Sequence, residues 1–315
     1  MKYRGVGKSG LQVSVVGLGC NNFGMRLDLE GSRAVIHAAL DAGITLFDTA
    51  DIYGGAGASE TMMGQVLGER RKDIVLATKF GMQMDKEGVK KGGSRRYIMA
   101  AVEDSLRRLQ TDWIDLYQLH APDPLTPMEE TLGALDDLVS SGKVRYVGCS
   151  NVPAWGVADA AWIAKTRGFN GFISAQDEYS VLIRKLEPEL KPMCEHFGIG
   201  ILPYFPLASG MLTGKFKKGQ PLQEGTRLAA AKGAGYFDHL MTDEKFDVVA
   251  KLSDYAESRG HTILELAFSW LLAQPVIPSV IAGATKPAQV DANVKAADWI
   301  MTPEELAEID KIAPR

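Results

Sequence analysis

Three short apolar runs in this chain end on side chains that can hold or hand over a proton. Leu46-Phe47-Asp48 ends on a carboxylate, with Tyr53 following in the next loop. Ala77-Thr78-Lys79 ends on an ammonium, and Leu116-Tyr117-Gln118-Leu119-His120 on an imidazole. Singly they are ambiguous: Asp48 could equally cap a helix or order a loop, and a lysine or histidine at a strand tip is most often just solvated. Three consecutive strand ends bearing Asp, Lys and His, with Tyr beside the first, make a set suited to acid–base chemistry in one pocket. Asp51, between Asp48 and Tyr53, is expected to reach that pocket too. No His, Asp or Glu cluster has the spacing of a metal site.

Other polar residues follow the same placement. Ser150-Asn151 and Gln176 end later apolar runs, where polar capping would also explain them, and Tyr204 fits buried packing as well as a stacking platform. Gly5, Gly7 and Gly10 spell GxGxxG. A dinucleotide fingerprint needs a strand before it and a helix after it, whereas only four residues precede Gly5 and 12–16 read as extended. A phosphate loop ending in Gly7-Lys8-Ser9 would need glycine where Lys2 stands. A hairpin turn explains both patterns.

The elements that must position these residues come from alternation. Apolar runs at 15–19, 45–48, 74–79, 114–119, 144–149, 172–176, 199–203 and 279–283 are short enough for strands buried on both faces. Between them run helical spacings, such as Ile98, Ala101, Val102, Ser105, Leu106 and Leu109, or Met128, Leu132, Leu135, Leu138 and Val139. Ser32 and Ser94 stand as N-caps, the first opening a helix at 32–42, and Gly43 and Gly142 as helix stops. Eight such strands predict one parallel (β/α)8 TIM barrel over residues 1–315, ahead of an open doubly wound sheet. Residues 1–14 predict an N-terminal β-hairpin under the barrel, and 204–242, after the seventh strand, a long loop of the kind that is usually functional.

Composition narrows the class. With 315 residues, 35 Lys and Arg against 39 Asp and Glu, a net charge of −4 and 46% hydrophobic residues, the chain is neither disordered nor built to neutralise nucleic-acid phosphates. Cys20, Cys149 and Cys194 are odd in number, widely separated and without a CxxC pairing, so they encode neither a disulfide framework nor a cysteine zinc site, which fits a reducing, cytoplasmic setting. The N-terminus lacks the apolar core of a secretory signal. Residues 266–284 carry no charge over about the length that spans a bilayer, but Gln274, Pro275 and Pro278 interrupt them. That stretch reads as a buried helix, a turn and a strand, with no membrane contact expected.

The residues 43–50, Gly-Ile-Thr-Leu-Phe-Asp-Thr-Ala, followed by Tyr53, Glu60 and Gly64, resemble the first signature of the aldo-keto reductase family. The spacing onward to Lys79 and His120 is similar to that family's catalytic tetrad. The resemblance runs over nearly the full length and is strongest to the branch that includes the voltage-gated potassium channel β-subunits. It implies that Asp48, Tyr53, Lys79 and His120 work together on a carbonyl. Reduction by hydride needs a proton donor for the developing alkoxide, and free tyrosine, with a pKa of about 10, is a poor acid near neutrality. Lys79 is expected to lower that value, Asp48 to keep Lys79 charged and aimed, and His120 to orient the carbonyl oxygen.

The resemblance also implies a nicotinamide cofactor, NADP(H), with NAD(H) not excluded. Ser150, Asn151 and Gln176 would bind its carboxamide and Tyr204 would stack on its ring. Residues 206–215 resemble the branch's pyrophosphate-covering loop, bringing Leu207, Ser209 and Lys215, the last as a phosphate contact. Gly283, Thr285, Lys286, Gln289 and Asn293 belong to the final cofactor segment. Many members carry lysine and arginine where this chain has Gly283 and Gln289, so the 2′-phosphate contacts become Thr285, Gln289 and Lys286, with a helix N-terminus beside them. Phe205 stands where many members have serine, so one cofactor hydrogen bond is expected to be missing. Phe23, Met25, Ile52, Phe80, Met82 and residues 225–239 are expected to line the substrate pocket.

The sequence thus predicts an NADP(H)-dependent oxidoreductase, a carbonyl reductase or alcohol dehydrogenase, acting on a small-molecule carbonyl or alcohol, with Tyr53 as general acid and base. A coenzyme-binding, redox-sensing regulatory subunit with slow turnover would use the same residues. A barrel hydrolase using Asp48 and His120 would need a nucleophile or metal that the sequence does not offer.

Overall fold

The structure, a computed structural model, describes residues 1–230 and 235–314. Two strands, β1 (Tyr3–Gly5) and β2 (Gln12–Ser14), form an antiparallel hairpin. Eight more follow: β3 (Val16–Gly19), β4 (Leu46–Asp48), β5 (Val75–Phe80), β6 (Ile114–Leu119), β7 (Val144–Ser150), β8 (Phe172–Glu178), β9 (Gly200–Tyr204) and β10 (Val280–Gly283). They pair in parallel in the order β10-β3-β4-β5-β6-β7-β8-β9, a nearly closed (β/α)8 barrel. At the remaining seam, Ile201 N–H donates to the Val276 carbonyl just ahead of β10, at 2.8 Å. Each predicted strand is present, with ends moved by one or two residues at most.

Side chains alternate along each strand, and that alternation builds the site. Leu46, Ala77, Leu116, Leu202 and Ile281 form one apolar layer inside the barrel. Two positions further along the same faces stand Asp48, Lys79, Gln118, Tyr204 and Gly283, at the C-terminal end where barrel chemistry is located. Neighbours of opposite parity, among them Phe47, Leu76, Phe80, Tyr117 and Leu119, join the larger core between the strands and the helices.

The hairpin closes the other end by adding Val6 and Val13 to the inner layer. Its turn is tight at Gly7, where φ is +56° and a Cβ would come within 2.3 Å of the Gly198 carbonyl, so the glycine is required there. The GxGxxG pattern is therefore a hairpin feature.

Helix ends follow capping chemistry with one correction. Ser94 caps the helix Arg95–Leu109 through a bond from Tyr97 N–H, as expected. The first helix is Leu29–Asp41, not 32–42. Asp28 is its N-cap and accepts from Gly31 N–H, while Ser32 is buried inside the first turn. A carboxylate at that position also suits the helix dipole.

The uncharged stretch at 266–284 divides into the helix Ile263–Leu272, a turn and β10. Among the described residues no helix is long and apolar enough to cross a membrane. After β9 the chain makes short helical turns at Ala208–Thr213, Arg227–Ala230 and Asp238–Leu240 before the helix Asp243–Ser258.

Candidate active site

Lys79 is the hub of the site. Fully buried on β5, its Nζ lies 2.7 Å from Asp48 Oδ2, 2.8 Å from the Thr49 carbonyl and 3.4 Å from Tyr53 Oη. Asp48 is itself held, since its Oδ1 accepts from Gln176 Nε2 at 2.9 Å and Gln118 Nε2 at 3.4 Å. His120 meets the Tyr53 ring edge to face, with ring centres 5.8 Å apart. Three adjacent strands and the turn after the first thus converge on one phenol.

Burial and charge oppose each other here. Burial disfavours the ammonium of Lys79, yet Asp48 and Tyr53 outweigh that cost and its pKa is raised. For Tyr53 the balance differs from the expectation. Burial pushes the phenol up, Lys79 pulls it down and Asp48 pushes it up again, and the net shift is upward. Lys79 therefore offsets a desolvation cost and does not bring the resting value below that of free tyrosine. Burial, helped by Lys79, lowers His120 to about 3, so the imidazole is neutral near pH 7. Its Nδ1 is buried without a partner. The tautomer with the proton on Nε2 leaves no buried donor unsatisfied.

These residues border a cavity of about 930 Å³ at the C-terminal end of the strands. Asp48, Tyr53 and His120 form part of its wall together with Ser150, Asn151, Gln176, Tyr204, Leu207, Ser209, Lys215, Gly283, Thr285, Lys286, Gln289 and Asn293. All the predicted tetrad and cofactor residues except Lys79, which sits behind Tyr53, thus surround one space. Asn151, in the left-handed region at φ 58°, donates to the His120 carbonyl and Ser150 Oγ, each at 3.0 Å. Its Oδ1 accepts from Tyr204 Oη at 2.9 Å, which fixes that ring. Gln289 Oε1 accepts from Thr285 N–H at 2.7 Å and from Thr285 Oγ1 at 3.2 Å.

Several expected lining residues are elsewhere. Phe23 and Phe80 are fully buried in the core. Phe80 has the opposite parity to Lys79 and stacks on Tyr117, with ring centres 4.7 Å apart. Met25 and Ile52 do not border the cavity, Met25 being 70% exposed. Asp51 is buried away from it. Met82, Gly225, Thr226, Arg227 and Tyr236 do line it, while residues 231–234 of the expected segment lie outside the described residues.

Sequence reasoning missed Gln118, which a period-two reading back from His120 would have found. It also missed Arg26, which no spacing marks, and it took in Arg227 only as part of the lining segment 225–239, not as a cofactor contact. Arg227 donates to Asn21 Oδ1 at 3.2 Å, 206 residues away in sequence, and lies 5.0 Å over the Phe205 ring. Arg26 donates to the Gly225 carbonyl. With Lys215 they put three cations beside the cavity, and none has an ion-pair partner among the described residues. Burial, then Arg26 and Arg227, lower Lys215, and burial, then Arg26, lower Arg227. Ser209 Oγ, in the same wall, is buried without a hydrogen bond.

The model of the aldo/keto reductase family matches residues 15–314. The chain belongs to that family. It is similar to a probable voltage-gated potassium channel subunit beta of Oryza sativa subsp. japonica, 36% identical over 99% of this chain and 96% of the relative. It is likewise similar to the uncharacterized oxidoreductase YrpG of Bacillus subtilis (strain 168), 37% identical over 100% of this chain and 96% of the relative. The L-glyceraldehyde 3-phosphate reductase of Escherichia coli (strain K12) is 34% identical over 99% and 92%. Membership supports an oxidoreductase that works with a nicotinamide coenzyme.

Proposed function

We propose that this aldo/keto reductase is NADP(H)-dependent, reducing an aldehyde or ketone or oxidising the corresponding alcohol, with Tyr53 as the general acid and base. The observation that carries the proposal is the Tyr53 phenol, protonated at neutral pH and 3.4 Å from a buried ammonium, on the wall of a large cavity. In reduction Tyr53 gives its proton to the carbonyl oxygen, and Lys79 stabilises the phenolate left behind. Asp48, braced by Gln176 and Gln118, keeps Lys79 charged and aimed. The neutral His120 donates from Nε2 to the same oxygen and orients it.

The opposite wall fits a dinucleotide. Arg26 and Lys215, both exposed, and the partly buried Arg227 repel one another, and the Ser209 hydroxyl is buried without a partner; an anion there would relieve the repulsion and accept from the hydroxyl, which suits a pyrophosphate. Lys215, Arg227, Arg26 and Ser209 would hold that group, Tyr204 would stack on the nicotinamide, and Ser150, Asn151 and Gln176 would face its carboxamide. Thr285, Lys286 and Gln289, with Gly283 and Asn293 beside them, would take the adenosine 2′-phosphate. When bound, the coenzyme supplies or accepts the hydride. One domain over residues 1–315 and a cytoplasmic setting, in keeping with three buried free thiols, complete the reading.

The test is a carbonyl and alcohol panel followed at the nicotinamide absorbance band with each coenzyme. Fast multiple turnover with any member supports the proposal. The likeness to channel β-subunits favours a second reading, a redox-sensing regulatory subunit. Tight coenzyme binding with negligible turnover would select it.

A further inference from the structure

Behind the tetrad, between β4–β6 and the helices Ala58–Leu67 and Arg95–Leu109, lies a second buried polar cluster that the reading above leaves without a task. Side chains one position off the cavity-facing ones enter it, Thr78 next to Lys79 and Tyr117 next to Gln118. Its acids are Asp51 and Glu60, 1% and 0% exposed. Glu60 is satisfied, because Oε2 accepts from Arg108 Nε at 2.7 Å and Oε1 from Thr78 Oγ1 at 2.5 Å. Asp51 is not. Its Oδ2 accepts a long bond from Tyr97 Oη at 3.3 Å, and its Oδ1 is buried with no partner, as is the Tyr117 hydroxyl.

Charge counting singles out Asp51. Two buried carboxylates share one guanidinium, Arg108, which is bonded to Glu60, while the Lys79 ammonium points the other way, to Asp48. Asp104, on the helix that carries Tyr97 and Arg108, adds a further negative charge near Tyr97. The acid left to take up a proton is therefore Asp51. Its main chain links the cluster to the chemistry: Asp51 N–H donates to the Lys79 carbonyl at 3.1 Å, and Tyr53 N–H donates to the Ala50 carbonyl at 3.2 Å.

We propose that Asp51 is a positioning residue whose proton seats the turn 50–53, and with it the Tyr53 phenol against Lys79, so that turnover carries a titration belonging to none of the tetrad. The proposal rests on the reductase reading above. Protonated, Asp51 brings a donor into a cluster with an unpartnered Tyr117 oxygen and leaves Glu60 as the one anion beside Arg108. Ionised, it sets a second buried anion beside Glu60, and the turn relieves that cost by shifting toward water. The protonated form is the active one. Burial and Glu60 push the carboxyl up to about 7, partly offset by Arg108, Tyr97 and the Ile52 N–H, so the change falls near neutral pH.

The test follows kcat against pH at saturating NADPH for the parent, Asp51→Asn and Tyr97→Phe. The parent should lose several-fold in kcat between about pH 6 and 8 with the coenzyme KM unchanged, and Asp51→Asn should keep the parent's low-pH kcat throughout. Tyr97→Phe removes a bond to the ionised form and should move the fall to higher pH. Thermal unfolding reads the ionisation without turnover. A carboxyl raised in the folded state costs stability progressively between its unfolded value, about 4, and about 7, so the parent's Tm should drop away from that of Asp51→Asn over that window and run parallel above it. Tm profiles that never diverge overturn the proposal, as does an Asp51→Asn kcat profile that superimposes on the parent's or is lowered equally at every pH. A diverging Tm with no turnover on any carbonyl brings down the reductase reading itself, and this proposal with it.

Discussion

On the β4–β6 wall Lys79 is closed in by Asp48, Thr49 and Tyr53, whereas across the cavity Arg26, Lys215 and Arg227 stand together with no ion-pair partner among the described residues. The backbones differ as well. The tetrad wall hangs mainly from strand ends in register, with Ala56 at φ 63° in the turn after Tyr53, while the facing segment holds three such residues, Phe205, Ala208 and Ser209, at φ 50°, 45° and 56°, a conformation that costs non-glycine residues energy. A charge the protein completes for itself keeps its geometry in the empty state. Charges left unpaired repel one another, and an anion arriving from outside would relieve that repulsion. The first wall is thus suited to fixed proton chemistry, and the second to a ligand that arrives and leaves.

The comparison predicts different failures on the two sides. The largest belongs to Lys79→Met, which removes the hub and leaves Asp48 as an uncompensated buried charge, a change that typically costs about 3–5 kcal/mol of stability. Turnover should be lost and Tm lowered, whereas Asp48→Asn should fold and lose less activity. A Lys79→Met protein with parent-like turnover would erase the distinction between the walls. Tyr53→Phe comes next, with kcat lower by roughly 10²–10⁴-fold and coenzyme affinity nearly intact, measured by fluorescence titration beside steady-state kinetics.

On the facing wall the loss should appear in binding instead. Arg227→Ala should weaken either coenzyme by about 1.5–3 kcal/mol, the worth of a hydrogen bond to a charged group, while kcat at saturation changes little. The affinity lost should shrink as salt is raised. Equal damage to kcat would mean that Arg227 serves the chemistry. Smallest is Lys286→Ala, which should cost NADPH roughly 1–2 kcal/mol and leave NADH almost untouched. Titrating both coenzymes against both proteins decides it, and an equal loss for the two would move Lys286 away from the 2′-phosphate.

How far each feature was legible depends on the distance over which it is decided. Short apolar runs marked the eight strands because a strand buried on both faces needs little beyond local composition and the breaks around it. The same runs gave away Asp48, Lys79 and His120, since a polar residue at the end of an apolar run is conspicuous. Asp51 was misplaced toward the cavity because it follows the strand in a turn, where alternation no longer tells which way a side chain points. Phe80, still within a strand, was open to correction by parity with Lys79.

Local pattern in the chain alone determined the barrel, the hairpin beneath it and the strand ends that carry the candidate chemistry, because period-two burial and turn residues act over a few positions. Only the tertiary structure decided which groups share a space. Arg227 meets Asn21 across 206 residues, and Asp51 loses its expected place to a cluster behind the strands. It also decided the balance at Tyr53, where burial outweighs the neighbouring ammonium. Desolvation depends on everything packed around a group, and no stretch of sequence near that group contains it.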